Sequence, residues 1–359
     1  MPVDGTRWPL TATQPNLEFR RKMMRTRLWL SIVSAIMCSC SQDKDQAPDL
    51  HTLDLGVDQI DQEWSVGIDT EVPCQPDCEV RQCGDDGCQE VCGVCDGFGM
   101  ACHDGTCVFV PQCSQGMCQI PAGDYGRGCN AEVDGACWLD EMPWHTVRLD
   151  AYEIDQTEVP VATYQACIKD GDCTVPAVDG DTCNLGKPGT ENHPMNCVSW
   201  EDAKACCEWA GKRLCTEAEW EQAARGPEGR KFPWGNDAPD CTRAHFHNGD
   251  PSGEGCGTGA TAEVGSYPDG SSHWGCLDMA GNVWEYVSDW YAEDYYKQFN
   301  DDVAVNPTGP ATGTERVRRG GDMYCRSFHL RTSFRYDADL FYYRNIDGMG
   351  FRCCRTLEQ

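Results

Sequence analysis

Cysteine sets the chemistry open to this chain: 27 of its 359 residues are cysteines. Thiolate zinc sites and disulfides both use cysteine at such density, and the redox compartment separates the two. Cys74, Cys78, Cys83, Cys88, Cys92, Cys95, Cys102 and Cys107 crowd one short stretch with little apolar residue between them. A segment that cannot bury a core must be stapled to fold. The Cys-x-x-Cys at 92–95 alone would suit zinc, but His103 is the single histidine nearby, so disulfides are expected.

The N-terminus supplies the compartment. Arg25 and Arg27 precede the apolar run Leu28–Met37, which is too short to span a bilayer and fits the core of a signal peptide. The run ends in Met37-Cys38-Ser39-Cys40, which resembles a bacterial lipobox and makes Cys40 the expected lipidated residue. Initiation at Met23 or Met24 would give the more compact signal. With Cys38 removed and Cys40 acylated the remaining cysteines are odd in number, so at least one thiol lacks an intramolecular partner. Ser41 after Cys40 suggests the outer membrane.

Around this chemistry the chain divides into a signal peptide (1–39), a lipidated and disordered acidic tether (40–73), a Cys-rich disulfide module (74–112) and a globular domain (113–359). The tether holds nine acidic residues against Lys44 in residues 41–73, and its coil spans about 30 Å. The net charge of −29 repels phosphate backbones and excludes nucleic-acid binding, while suiting a bound cation or a basic partner. In the domain, Ser199-Trp-Glu-Asp202 and Thr216-Glu-Ala-Glu219 have the spacing of capping boxes, each followed by apolar residues at helical intervals. His145–Leu149 reads as a short strand. Gly, Pro, Asn and Asp dominate elsewhere, which predicts an α+β, loop-rich fold. Most of Trp200, Trp209, Trp220, Trp234, Trp274, Trp284 and Trp290 read as core anchors rather than a ligand shelf. Arg316-x-Arg318-Arg319 either pairs internally with the abundant carboxylates or forms a solvated face, the blander reading, and His245-x-His247 reads as a polar loop rather than a metal site.

Several longer strings occur in order: Ile120-Pro-Ala-Gly-Asp-Tyr, Tyr152-Glu-Ile-Asp-Gln-Thr-Glu-Val, Asn192-His-Pro-Met-Asn-Cys-Val-Ser-Trp, Gly211-Lys-Arg-Leu-Cys-Thr-Glu-Ala-Glu-Trp, Pro233-Trp-Gly-Asn, Met279-Ala-Gly-Asn-Val-Trp-Glu, Arg319-Gly-Gly and Gly350-Phe-Arg. Over about residues 113–355 this order resembles the sulfatase-modifying-factor family, founded on formylglycine-generating enzyme. The resemblance implies a variant of the C-type-lectin-like fold.

It also implies two metal sites. Structural Ca²⁺ would take the Asp278 side chain, the carbonyls of Gly281 and Val283, and Glu285, an all-oxygen set suited to a hard cation. A second calcium is not expected, because His245 stands where the family's loop begins with Asn. Active members of the family oxidise a cysteine in a sulfatase chain with copper and O₂, holding Cu(I) between two cysteines five residues apart, a soft pair for a soft ion. Gly320-Gly321-Asp-Met-Tyr-Cys325 places Cys325 in the first position, but the second falls on Leu330, with His329 beside it. Either Cys325 is the odd thiol with His329 as substitute ligand, or it pairs in a disulfide, for instance with Cys353 or Cys354. The iron-dependent sulfoxide-synthase branch would need clustered histidines, and the 8 here are scattered. No Gly-x-Ser-x-Gly, His-Glu-x-x-His or phosphate loop is present.

The sequence thus reads as an exported, membrane-anchored lipoprotein whose domain is a calcium-stabilised module binding a protein, peptide or glycan. The alternative is a copper oxidoreductase acting on a protein cysteine through Cys325.

Overall fold

The computed structural model describes residues 95–357, apart from short stretches at 104–105, 177–181, 250–254, 258, 300–301 and 340–347. The signal, Cys40, the tether and the Cys-rich segment as far as Val94 lie outside the described residues. Within them, Cys95 is bonded to Cys107 beside the hairpin of Met100–His103 and Thr106–Phe109. Phe98 and Phe109 from this region meet Trp274 edge to face.

Among the described residues the helices are α1 (Ala131–Asp134), α2 (Val161–Asp170), α3 (Trp200–Trp209) and α4 (Glu217–Arg225). Both expected capping boxes are present. Ser199 Oγ accepts the Asp202 N–H at 3.1 Å, and Thr216 Oγ1 accepts the Glu219 N–H at 3.2 Å. Each N-terminal carboxylate reaches back in return, and one such cap stabilises by about 1 kcal/mol. α2 stops at Gly171, whose left-handed φ of 92° lets its N–H close on Cys167 O and Ile168 O.

The strands form small sheets. The largest runs Cys113–Ser114, Met117–Ile120, Tyr152–Asp155, Cys353–Thr356, Arg213–Leu214 in spatial order. A second runs Arg335–Asp339, Glu315–Arg319, Trp284–Trp290, Met349–Phe351, with the last pair parallel. His145–Leu149 alternates buried and exposed residues and sits between Gly123–Arg127 and Ala304–Val305. Cys207–Cys353 and Cys215–Cys354 tie the late strand to the middle of the chain across 146 and 139 residues. Loops of that length give about 5 kcal/mol each in the chain-entropy account. Long disulfides and aromatic packing thus hold a loop-rich domain that regular structure alone would not.

The arginine run is not a solvated face, and of its three members Arg319 pairs internally with a carboxylate. Arg319 is 0% exposed and its guanidinium lies 2.6 Å from Glu221. Arg318 stacks over Trp284 and Tyr336, and Arg316 lies between Trp200 and Trp290 at 3.6 and 3.4 Å from the ring centres. Strand alternation, with a register shift between Arg316 and Arg318, sends the three side chains into different surroundings. The tryptophans divide accordingly: Trp220, Trp274 and Trp284 are core, whereas Trp200 and Trp290 clamp an arginine.

Candidate functional site

The strand Glu315–Arg319 ends in Gly320 and Gly321, both left-handed with φ of 92° and 76°. A Cβ on Gly321 would sit 3.0 Å from Leu330 Cδ2, so glycine permits both the turn and the close approach. The chain beyond is pinned from three sides. Gly281 N–H donates to Gly320 O at 3.0 Å, Met323 N–H to Asn282 O at 3.1 Å, and His247 N–H to Cys325 O at 3.0 Å. A short 3₁₀ turn, Ser327–Leu330, follows.

These elements frame a cleft of about 530 Å³ lined by Trp284, Arg318, Asp322, Cys325, Phe328 and His329 among others. Cys325 is an unpaired thiol there; its proposed disulfide partners Cys353 and Cys354 bond instead to Cys207 and Cys215. The other unpaired cysteines among the described residues, Cys206 and Cys276, are buried. Burial, then the neighbouring Asp322 carboxylate, pushes the Cys325 thiol well up, and the two side chains share a hydrogen bond. His329 lies against Phe328 with ring centres 3.8 Å apart, and its Nδ1 has no hydrogen-bond partner. Burial, with Arg318, Arg331 and Arg326 nearby, lowers its pKa, so it is neutral at pH 7. Leu330, at the second copper position, is 0% exposed and packs with Phe232, Ala244, Phe246 and Ala280. The sulfur and nitrogen donors lining the cleft are therefore one thiol and one neutral imidazole, beside the Asp322 carboxylate, a set compatible with copper but different from paired cysteines.

Behind this loop lie the expected calcium residues. Asp278, Gly281 and Asn282 take positive φ of 56°, 86° and 61°, and a Cβ on Gly281 would meet His245 O at 2.3 Å. Asp278 accepts the Gly265 N–H at 2.6 Å. Glu285 departs from the expectation of a freely offered ligand. Arg352 binds both its oxygens at 2.7 Å, and the Trp220 indole donates to one of them at 2.7 Å. The sequence reading missed Glu158, which accepts from Asn282 Nδ2 at 2.7 Å and from the Val283 N–H at 3.2 Å. It lies within a quoted string but reaches the loop from 125 residues away, and no spacing rule signals that. Burial, reinforced by Glu285, raises Asp278 to about 6 despite Arg352. Glu158 is raised further by burial and by Asp278 and Glu285. Three carboxyl groups thus face one guanidinium, a surplus of negative charge that a divalent cation would relieve.

Two further groups bring potential ligand atoms within 4.8 Å of one another: Cys167, Cys173 and Cys206, and Cys129, Cys137 and Glu141. Their sulfur content is compatible with a soft metal such as copper, although each now holds a disulfide. The pair His245-x-His247 lies in a loop with polar partners, and its first member is buried. His245 is 5% exposed, with Nδ1 on the Tyr267 hydroxyl at 2.9 Å and Nε2 on Ala260 O at 2.7 Å.

Residues 108–357 match the family described as the sulfatase-modifying factor enzyme 1-like domain. The chain is 34% identical over 300 residues to the formylglycine-generating enzyme of Streptomyces coelicolor, covering 69% of this chain and 91% of that one. It is also 34% identical to the enzyme of the same name from Thermomonospora curvata, over 59% and 84% of the two chains. Among solved structures, PvdO from Pseudomonas aeruginosa superposes with a TM-score of 0.55 at 27% identity, covering 67% of this chain and 94% of that one. The likeness to Treponema denticola variable protein 1, at TM-score 0.52 and 24% identity over 67% and 94% of the chains, concerns the fold alone. With its glycine turn, single cleft thiol and disulfide-tied sheets, the chain belongs to the sulfatase-modifying factor enzyme 1-like family.

Proposed function

We propose that the domain oxidises a cysteine of a protein substrate, with copper held by Cys325 and His329. The observation that carries this reading is the Cys325 thiol, unpaired and facing an open cleft while Cys206 and Cys276 are buried. The likeness to formylglycine-generating enzymes over most of their length supports it. Copper would supply activation of dioxygen at the cleft. The residues divide the remaining work. Burial and Asp322 keep the free thiol protonated, so the proton that Cys325 must lose to become a thiolate ligand would be released on metal binding. Neutral His329 offers a nitrogen lone pair. Trp284 and Phe328 supply apolar wall, and Arg318 and Arg326 supply positive charge for backbone carbonyls or acidic side chains of a peptide.

A second reading, a calcium-stabilised module that binds a protein, peptide or glycan without chemistry, is favoured by Leu330. A hydrocarbon side chain stands where the second thiolate is expected, and Asp322 holds the remaining thiol protonated. The lectin-like scaffold and the anchor on Cys40 are common to both readings; the mass of the mature N-terminal peptide tests the anchor. A Cu(I) titration against a competing chelator, followed by incubation with a cysteine-containing sulfatase peptide under O₂, separates the two. Stoichiometric copper that is lost in Cys325→Ser and weakened in His329→Ala, with thiol-to-aldehyde conversion of the peptide, is expected. Copper binding indifferent to Cys325→Ser, with unaltered peptide, would leave the binding module.

A further inference from the structure

We propose that Cys206 is an alternative partner in the Cys167–Cys173 disulfide, making the junction of α2 and α3 a three-sulfur exchange site. The three sulfur atoms lie within 4.8 Å of one another, two of them bonded and the third a free thiol. Their placement follows from the fold. Cys167 sits in the last turn of α2, Cys173 just beyond its Gly171 stop, and Cys206 on α3, which packs against α2 in the same apolar cluster. All are buried, at 0%, 6% and 1% exposure. None lines the Cys325 cleft, and the proposed oxidation does not use them.

Exchange balances without any outside oxidant or reductant. The Cys206 thiol gives up its proton, and its thiolate attacks Cys167 Sγ. The Cys206–Cys167 bond forms as the Cys167–Cys173 bond breaks, and the Cys173 thiolate leaves and takes up a proton. One disulfide and one thiol exist before and after. Cys173 is the natural leaving sulfur, because it is the most exposed of the three and lies outside both helices. The product joins α2 directly to α3. It also leaves the segment after Gly171 held only by noncovalent contacts, such as Tyr164 OH to Thr174 O at 3.0 Å and Thr174 Oγ1 to Asp202 at 2.6 Å. The titratable groups around Cys206 are Asp155 and Lys212, themselves an ion pair, and Tyr164 of α2. Burial, then Asp155, pushes the Cys206 thiol up to about 12, so the exchange quickens with alkali.

The test uses the full chain carrying Cys325→Ser, which removes the cleft thiol as a competing nucleophile. The protein is held at neutral pH and at about pH 9 without added thiol, quenched in acid, alkylated and mapped without reduction. A peptide linked through Cys206, with Cys173 alkylated, is expected and should grow with pH. In Cys173→Ser, mild oxidation should form Cys167–Cys206; in Cys206→Ser, Cys167–Cys173 should be the only linkage at this junction. Absence of any Cys206-linked peptide at about pH 9 would overturn the proposal. So would a Cys173→Ser protein in which Cys167 and Cys206 both stay alkylatable under oxidant.

Discussion

Two buried ionic regions of this domain are near opposites. Around α4, Glu217 meets Arg127 at 2.7 Å and Arg335 at 2.8 Å, with Arg319 at 3.6 Å. Burial drives its carboxyl up, but Arg335, Arg127 and Arg319 outweigh that cost and bring it down to about 2. Around the Asp278 loop the proportions reverse: Glu158, Asp278 and Glu285 share Arg352, and burial wins, with Asp278 raised to about 6. Burial is common to both, so the difference lies in the ratio of guanidinium to carboxylate. In the first region Glu217 itself is balanced, although burial and Glu217 raise the neighbouring Asp289 to about 7. The second is balanced by bound protons or by a cation.

The largest expected effect breaks the first region. Glu217→Ala takes the carboxylate from Arg335 and Arg127, while Arg319 keeps Glu221, and should cost about 3–5 kcal/mol in chemical denaturation. Because the folded pKa of Glu217 lies below its ordinary 4.5, the stability it contributes is present above that value and lost as pH falls toward 2. The variant's acid limb should therefore be shallower than that of the parent, and parallel limbs would contradict the ion-pair account. Next comes the cation. Chelation should lower the melting temperature, and calcium at a hundredfold excess over its dissociation constant should restore about 2.7 kcal/mol. A melting curve unmoved by EDTA would mean that the second region balances its charge with protons alone. The smallest effect is Asp278→Asn measured in EDTA. Asparagine keeps an acceptor for the Gly265 N–H and tolerates the left-handed φ of 56°. It also removes one surplus charge, so stability should hold within about 1 kcal/mol or rise. A loss comparable to Glu217→Ala would erase the contrast between the regions.

What could be read from the sequence was local. Ser199 and Thr216 announce their helices because a cap and its reciprocal carboxylate lie within four residues, and His145–Leu149 shows its buried face by simple alternation. The Cys325 loop was legible only through its resemblance to the family's string, and the structure places Cys325 and His329 on one cleft. Glu158, the fates of Arg316, Arg318 and Arg319, and the pairing of Cys207 with Cys353 were not legible. Each depends on a partner brought in by the sheets from far along the chain, where the type of a residue carries no record of what it will face. Glu285 illustrates the same limit: its position was foreseen, but not that Arg352 would occupy both its oxygens.

The strand Cys353–Thr356 lies inside the largest sheet, between Tyr152–Asp155 and Arg213–Leu214, and carries the partners of Cys207 and Cys215. A nascent chain on the ribosome cannot close that sheet until residue 356 has emerged. Cys207 and Cys215 must wait through more than a hundred residues of synthesis while several nearer cysteines become available as wrong partners. Closure of this sheet is therefore a late event in the domain's synthesis, waiting for the strand that carries Cys353 and Cys354. Its yield depends on delaying oxidation until the whole strand order can be sampled.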